Sequence, residues 1–395
     1  MSIKPRILFA LESYPPDING SGIATRRLAE GLAGRGYPVA VVCPGKSRKM
    51  VKSVEEKVQV FRLGSISTVL HKDYRFAPFA KKFIDEVFNE FKPTIVNVSD
   101  CFSTAGASFS KAKKLHIPVV GTNHFHPHNL LHYLKLKQNY MSYQLLEKLL
   151  WAYFRRMFNS ILAVTVPTET ASKIIRKIGI KTPIHVISNG IDLSLFKHKK
   201  LDSDIYKKYG MNPEKLILSS VGRVEKEKRL DVIVDAVAMI KDNDDFQLVI
   251  VGKGKEEKVL KKLAAKHGIQ DKVILTGAVP LDDLYQLYEI SDIFLSASEI
   301  ELQGLSIMEA MAYALPVIAA RSTAIPELIK DGENGYLFKP GDSKEVAKHI
   351  IKLLEDSKLR EKMAKNSLAA IKKHDFQNIL TEFEKFYEKY SKWSG

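Results

Sequence analysis

The run Leu216-Ile217-Leu218-Ser219-Ser220-Val221-Gly222-Arg223-Val224-Glu225-Lys226-Glu227-Lys228-Arg229 decides the fold. Its first part is a β-rich run of strand length, and its second part opens on glycine and turns charged, so it reads as a strand feeding a strand-to-helix turn. Comparable strand runs follow at Leu248 to Val251, Val273 to Leu275, Ile293 to Leu295, Val317 to Ala319 and Gly335 to Leu337, with helical patterns between them. The same rhythm precedes it at Arg6 to Leu11, Val39 to Val42, Val58 to Phe61, Thr94 to Val98, Val119 to Thr122 and Ala163 to Val166. Strands alternating with helices predict a doubly wound parallel α/β sheet, here twice over. The joint is expected at Ser188-Asn189-Gly190-Ile191-Asp192, where a turn-forming Asn-Gly precedes a polar, Lys-rich stretch. The expected division is therefore residues 1–192, residues 193–375 and a closing amphipathic helix over 376–395 that carries Phe383, Phe386, Tyr387 and Tyr390. Two such domains facing a central cleft would bind a ligand outside the carboxyl ends of their strands.

Length and composition agree with two soluble cores. The chain has 395 residues, 45% apolar and 27% charged, too many for one core of about 100 to 150 residues. Cys43 and Cys101 are the only cysteines, which excludes a disulfide framework or a four-cysteine metal site and suits a reducing cytosol. No apolar run reaches the roughly 18 residues of a membrane span. A secretory leader is not expected either, since the apolar stretch Ile7 to Leu11 is strand-sized and is followed by Glu12 and Asp17. The net charge of +16 is unevenly spread: residues 1–190 carry 28 Lys+Arg against 12 Asp+Glu, while residues 191–395 carry 33 of each. A basic half beside a neutral half points to an anionic partner for one domain, nucleic acid or anionic lipid, with a merely well-solvated basic surface as the alternative.

Two elements carry chemistry. In Ser296-Ala297-Ser298-Glu299-Ile300-Glu301-Leu302-Gln303-Gly304-Leu305-Ser306-Ile307-Met308-Glu309 a strand ends near Ser296, Gly304 permits a tight approach and a helix begins near Leu305. Amides at that helix start can face an anion, and Glu301 and Glu309 can each accept from vicinal hydroxyls. In the opening run, Arg223 and Lys228 project from the turn after Gly222, where two cations can neutralise a diphosphate. Gly252-Lys253-Gly254 directly after a strand is compatible with close nucleotide approach.

With these in order, the chain resembles the retaining glycosyltransferases of family 4, which have two Rossmann-like domains of the GT-B type. The resemblance covers nearly the whole chain and is most specific at Glu301-x7-Glu309 followed by Ala310-Met311-Ala312-Tyr313-Ala314-Leu315-Pro316. Asn19-Gly20-Ser21-Gly22, Gly222-Arg223 with Lys228, Gly252-x-Gly254 and Pro326-Glu327-Leu328 with Gly335 support it. The resemblance implies that Arg223 and Lys228 hold the donor diphosphate, that Glu309 binds the ribose and that Glu301 contacts the transferred sugar. It places Gly20 and Gly22 in a loop near the phosphates, adds Gly222, Gly252, Gly254, Gly304 and Leu305 to the donor site, and makes His124 the family's amino-domain histidine. It implies no metal and no cofactor, the nucleotide-sugar being a substrate. The sequence departs from the family at Ser322-Thr323-Ala324-Ile325, where paired glycines are usual before Pro-Glu, and at the amino-terminal loop, where glycines are usually adjacent.

Leu302-Gln303-Gly304-Leu305 and His132-Tyr133 are similar to the bacterial diacylglycerol glucosyltransferases of that family. The implied function is transfer of a hexose from UDP-glucose or UDP-galactose to a lipid such as diacylglycerol, by an enzyme peripheral to the inner face of the cell membrane. Lys111, Lys113, Lys114 and His132 fall on the implied acceptor side, with Lys135 and Lys137 near them. A soluble or phosphatidylinositol acceptor with a GDP-mannose donor, or a nucleotide-sugar epimerase, are the alternatives. No nucleic-acid-binding module is visible. The apolar stripe Leu146, Leu149, Leu150, Tyr153, Phe154, Met157, Phe158 and Ile161 reads either as a core-packing helix or as a helix partly inserted in a membrane.

Overall fold

Strands buried on both faces must be apolar along their whole length, because helices cover both sides of a parallel sheet. Ile7–Ala10 and Val39–Pro44 are of this kind, with every residue buried, and Ile95–Val98 is equally buried around one polar residue, Asn97, whose side chain is hydrogen-bonded. The computed structural model describes residues 4–16, 20–67, 75–99, 102–123, 141–196 and 204–393. They divide into two units: Met1–Asn189 with Gln377–Gly395, and Gly190–Phe376.

In the first unit the order is β1 (Ile7–Ala10), α1 (Gly20–Gly34), β2 (Val39–Pro44), β3 (Val51–Glu55), β4 (Val58–Leu63), β5 (Ile66–Ser67), β6 (Arg75–Phe76), α2 (Ala80–Phe91), β7 (Ile95–Val98), α3 (Ser103–Lys114), β8 (Val119–Thr122), α4 (Met141–Phe158), β9 (Val164–Val166), α5 (Glu169–Lys177) and β10 (Ile184–Val186). The main sheet runs β10-β9-β8-β7-β1-β2-β4-β3, and only the β3–β4 pair is antiparallel. That edge hairpin is the departure from an all-parallel sheet. Its turn residues Glu56 and Lys57 both have positive φ, 46° and 68°, the backbone of a tight hairpin turn without the glycine or asparagine that usually announces one. The edge is guarded by charge, since Lys52 reaches Glu86 and Glu90 on α2 at 2.8 and 2.6 Å.

Helix α4 packs its C-terminal half into the core and leaves apolar side chains exposed toward its N-terminal half. Phe154, Met157, Phe158 and the following Ile161 are buried, whereas Leu145, Leu149 and Tyr153 are exposed by 58%, 58% and 48%. The C-terminal helix Phe376–Ser391 returns to this unit. It buries Phe383, Phe386, Tyr387 and Tyr390, each contributing on the order of 1.5–3 kcal/mol of apolar burial. Polar pins fix its register: Asn97 Nδ2 donates to Tyr387 Oη at 2.7 Å, Tyr37 Oη donates to Glu388 at 2.6 Å and Arg35 pairs with Glu384 at 2.7 Å.

The second unit contains α6 (Ile205–Tyr209), β11 (Leu216–Val221), α7 (Leu230–Met239), β12 (Phe246–Val251), α8 (Glu257–His267), β13 (Val273–Gly277), α9 (Leu281–Glu289), β14 (Ile293–Ser296), α10 (Leu305–Ala312), β15 (Val317–Ala320), α11 (Ile325–Leu328), β16 (Gly335–Phe338), α12 (Ser343–Glu355) and α13 (Ser357–Ile371). Its sheet is entirely parallel in the order β13-β12-β11-β14-β15-β16, so chain order reverses between β11 and β14, the doubly wound arrangement. Alternation along each strand divides the core. Leu218, Leu248, Ile250, Leu295 and Ile318 face α7, α8 and α12, while Phe294, Val317, Ala319 and Leu337 face α10 and its neighbours. The chain enters and leaves this unit at one point, where Ile191 N donates to His374 O and Phe376 N to Ile191 O, both at 2.9 Å.

Beside that junction, burial, with a smaller push from Lys373, lowers the His374 imidazole to about 4. The unfolded chain, with a histidine near 6.5, then binds more protons than the folded one between those values, so this group's stability contribution is present above pH 6.5 and is lost as pH falls toward 4. Replacing His374 with Asn is expected to shrink the difference between urea midpoints measured at pH 7 and pH 5. An unchanged difference would count against it.

Candidate active site

The crevice at a strand-order reversal arises because successive helices leave to opposite faces of the sheet. After β11 the chain turns into α7 on one face, and after β14 it turns into α10 on the other. A recess of about 310 Å³, open mouth included, lies at these strand ends, lined by Ser220, Val221, Gly222, Arg223, Lys228, Leu230, Ile250, Ser296, Ala297, Glu301 and Ser306. Gly222, Arg223, Lys228 and Glu301, singled out from sequence, thus share one pocket with the first turn of α10.

Opposite charges join the two loops that wall it. Lys228 Nζ donates to Glu301 Oε1 and Arg229 Nη1 to Glu299 Oε1, tying the β11–α7 turn to the β14–α10 loop. The Glu299 amide adds a 3.4 Å bond to Glu227 O. Arg223 reaches Glu227 at 2.7 Å and is the more exposed cation, with 46% of its side chain accessible against 24% for Lys228. An ammonium has three donors, so Lys228 can hold Glu301 and still present hydrogens to an anion. Gly304, at φ 77°, caps α10 in the left-handed region that glycine tolerates. Hydrogen bonds within α10 begin with the Ile307 and Met308 amides on Gly304 O, at 3.0 and 3.1 Å. The Leu305 and Ser306 amides precede them and have no acceptor within the helix.

Glu309 is set apart from this recess, one turn along α10. Tyr288 Oη on α9 donates to Glu309 Oε2 at 3.0 Å, and the buried Tyr288 ring stacks on Tyr313 with centroids 5.5 Å apart. Burial raises the Tyr313 hydroxyl well above its usual range. Tyr288 escaped the sequence reading because a helix residue so far upstream has no spacing that ties it to Glu309.

Gly252 and Gly254 answer to the chain's own backbone. A Cβ on Gly252 would fall 1.8 Å from Gly222 O and one on Gly254 1.9 Å from Val224 O. Gly222 N and Val224 N also donate to Val251 O and Lys253 O at 3.0 and 2.9 Å. These glycines let the β12 turn lie against the β11 turn, and so shape the pocket floor from behind.

In the first unit, Gly20 and Gly22 stand in the first turn of α1 and not in a loop. Lys111 is paired with Asp85 at 2.5 Å and Lys113 donates to Ser160 O at 3.0 Å, while Lys114 is exposed at the end of α3. A separate small recess here is lined by Phe9, Ala24, Thr25, Leu28, Asn97, Thr122, Asn189 and Phe383. His124, His132, Lys135, Lys137, Asn19 and Cys101 lie outside the described residues. No group of three metal-ligating side chains occurs among the described residues.

Residues 18–195 match the family described as Glycosyltransferase Family 4, and residues 202–369 match Glycosyl transferases group 1. Among curated relatives, the alpha-monoglucosyldiacylglycerol synthase of Acholeplasma laidlawii is 26% identical over 92% of this chain and 91% of its own. The Streptococcus pneumoniae protein of the same name is 28% identical over 84% and 75%. The solved structure of Anabaena HepE, in complex with UDP and glucose, superposes with a TM-score of 0.77 at 20% identity, covering 98% of this chain and all of that one.

Substituting Gly252 with Ala is expected to destabilise the second unit by at least about 2 kcal/mol, since the added methyl group must displace backbone at a positive φ. Urea unfolding of the full chain measures it, and a midpoint equal to the parent's would contradict the packing role.

Proposed function

The chain belongs to glycosyltransferase family 4 and is a hexosyltransferase, and on that premise we propose that it moves a hexose from a UDP-sugar to diacylglycerol or a similar lipid at an anionic membrane surface. The observation that carries the donor half is the meeting of Arg223, Lys228, Glu301 and Ser306 in one recess at the β11/β14 reversal. The acceptor half rests on the two relatives named as alpha-monoglucosyldiacylglycerol synthases and on the basic first unit.

In this mechanism the diphosphate lies against Arg223, Lys228 and the first amides of α10. As the bond from the sugar to the phosphate lengthens, negative charge accumulates on the departing oxygen, and fixed cations stabilise it without reorganising. Glu309, oriented by Tyr288, accepts from the ribose hydroxyls, and Glu301 accepts from a hydroxyl of the transferred hexose. The acceptor hydroxyl attacks on the face that the phosphate leaves, giving its proton to that phosphate, so the configuration is retained. The chain supplies the positive charge itself, and the mechanism invokes no metal or other cofactor.

For the lipid surface, exposed Leu145, Leu149 and Tyr153 recur every fourth residue on α4, with Lys148, Arg155 and Arg156 exposed beside them. Apolar side chains entering the headgroup region among cations is the pattern of an interfacial helix. No helix among the described residues is long and apolar enough to cross a membrane. A peripheral position on the inner face of the cell membrane follows from this reading.

The deciding assay offers radiolabelled UDP-glucose, UDP-galactose and GDP-mannose, separately, to the protein with diacylglycerol vesicles, and identifies labelled lipid by mass. Arg223→Ala and Lys228→Ala are each expected to lower kcat about 100-fold with the fold intact; labelled lipid at the parent rate in either variant would remove the diphosphate assignment. Co-sedimentation tests the surface separately. Binding should rise with anionic lipid content and fall with salt, and Leu145→Ser with Leu149→Ser should weaken it at unchanged UDP affinity. Equal binding to neutral and anionic vesicles would point instead to a soluble acceptor.

A further inference from the structure

Glu301 is held through its main chain as well as its carboxylate. Its amide donates to Thr323 Oγ1 at 2.8 Å, and the same hydroxyl donates back to its carbonyl oxygen at 2.7 Å. The Ala324 amide reaches that carbonyl at 3.2 Å. Next to it, Ser322 Oγ donates to Ser298 O at 2.6 Å. The turn after β15 therefore grips the β14–α10 loop at both ends of Ser298–Glu301.

Thr323 occupies that place against its own preference. Its φ is +38°, in the left-handed region where a β-branched residue is strained and glycine is not. Its side chain is exposed, so packing does not account for it. What threonine has there and glycine lacks is one hydroxyl that accepts and donates at once, closing both backbone groups of a single residue. Strain retained where an unstrained residue would serve the backbone better marks a site with another duty.

We propose that Thr323 is a positioning residue for Glu301, locking the peptide on either side of it so that the carboxylate stands beside Lys228 and meets the transferred hexose in one orientation. This rests on the reading of Glu301 as the sugar contact. The hydroxyl acts through Glu301 and touches no nucleotide, so its loss lowers turnover and leaves nucleotide binding alone. A carboxylate free to wander by about 1 Å loses a large part of its effect, on the order of ten- to a hundredfold.

The test uses the full chain with UDP-glucose and diacylglycerol vesicles, and calorimetry with UDP. Thr323→Val, which keeps the shape and removes the hydroxyl, is expected to lower kcat about tenfold with UDP affinity within twofold of the parent, and Thr323→Ser to restore at least half of the parent kcat. Thr323→Gly removes hydroxyl and strain together, so its melting temperature should equal or exceed the parent's while kcat falls, which separates positioning from stability and serves if the valine variant does not fold. In the Glu301→Gln background, Thr323→Val should cost nothing further. Parent-level kcat in both the valine and glycine variants, or losses that multiply in the double variant, would overturn the positioning role while Glu301→Gln remains impaired. If Glu301→Gln itself transfers at the parent rate, the sugar contact fails first and the proposal falls with it.

Discussion

The opposed exits of α7 and α10 from neighbouring strands govern everything at the carboxyl edge of the second unit. Because β11 and β14 are adjacent in the sheet but far apart in sequence, their turns diverge and leave a recess at the strand ends. A right-handed crossover puts each following helix over one face only. Ser220 and Ser296 at the strand ends, with Arg223, Lys228, Glu301 and Ser306 beyond them, share the recess because of this geometry. The glycines at 252 and 254 belong to the same constraint, since they let the next turn lie flat against the β11 turn behind it.

Charge is concentrated in those two loops, and it is paired across them. Lys228 with Glu301 and Arg229 with Glu299 hold the walls together, while Arg223 pairs with Glu227 and stays more exposed. Exposed pairs add little stability, typically below about 1 kcal/mol, so their value here lies in geometry. Lys228 pairs directly with Glu301, so under the proposed function the cation for the phosphates and the acceptor for the sugar hydroxyls share a single contact. Under that proposal the coupling suits chemistry in which charge moves from a sugar–phosphate bond onto the phosphate, because one pair would address both ends of that bond.

Support for the two glutamates is asymmetric. Glu309 rides on a helix and is oriented by a buried, stacked tyrosine, so its surroundings are fixed by core packing. Glu301 sits in a loop, where its conformation depends on hydrogen bonds to a neighbouring turn. The difference fits the parts proposed for them, since a nucleoside-binding residue can be built into the core, whereas one that follows a reacting sugar is better placed on a loop whose shape a few polar contacts decide.

The sequence by itself determined the alternation of strand and helix, the two α/β units and the residue types gathered at Gly222–Lys228 and Glu301–Glu309. Those readings depend on local patterns: apolar runs of strand length, glycine after a strand and paired carboxylates at a helix start. Only the tertiary structure decided the β3–β4 hairpin, whose turn at Glu56 and Lys57 adopts positive φ without the residues that announce it. It alone returned the C-terminal helix to the first unit through Asn97, Arg35 and Tyr37, each far from its partner along the chain. It also revealed that Gly252 and Gly254 answer to backbone at Gly222 and Val224, that Tyr288 orients Glu309 and that Thr323 clasps Glu301. The physical reason is common to all of them. A local pattern reports the dihedral preference and solvation of each residue, whereas a contact between distant residues exists only once the sheet order has placed two turns side by side.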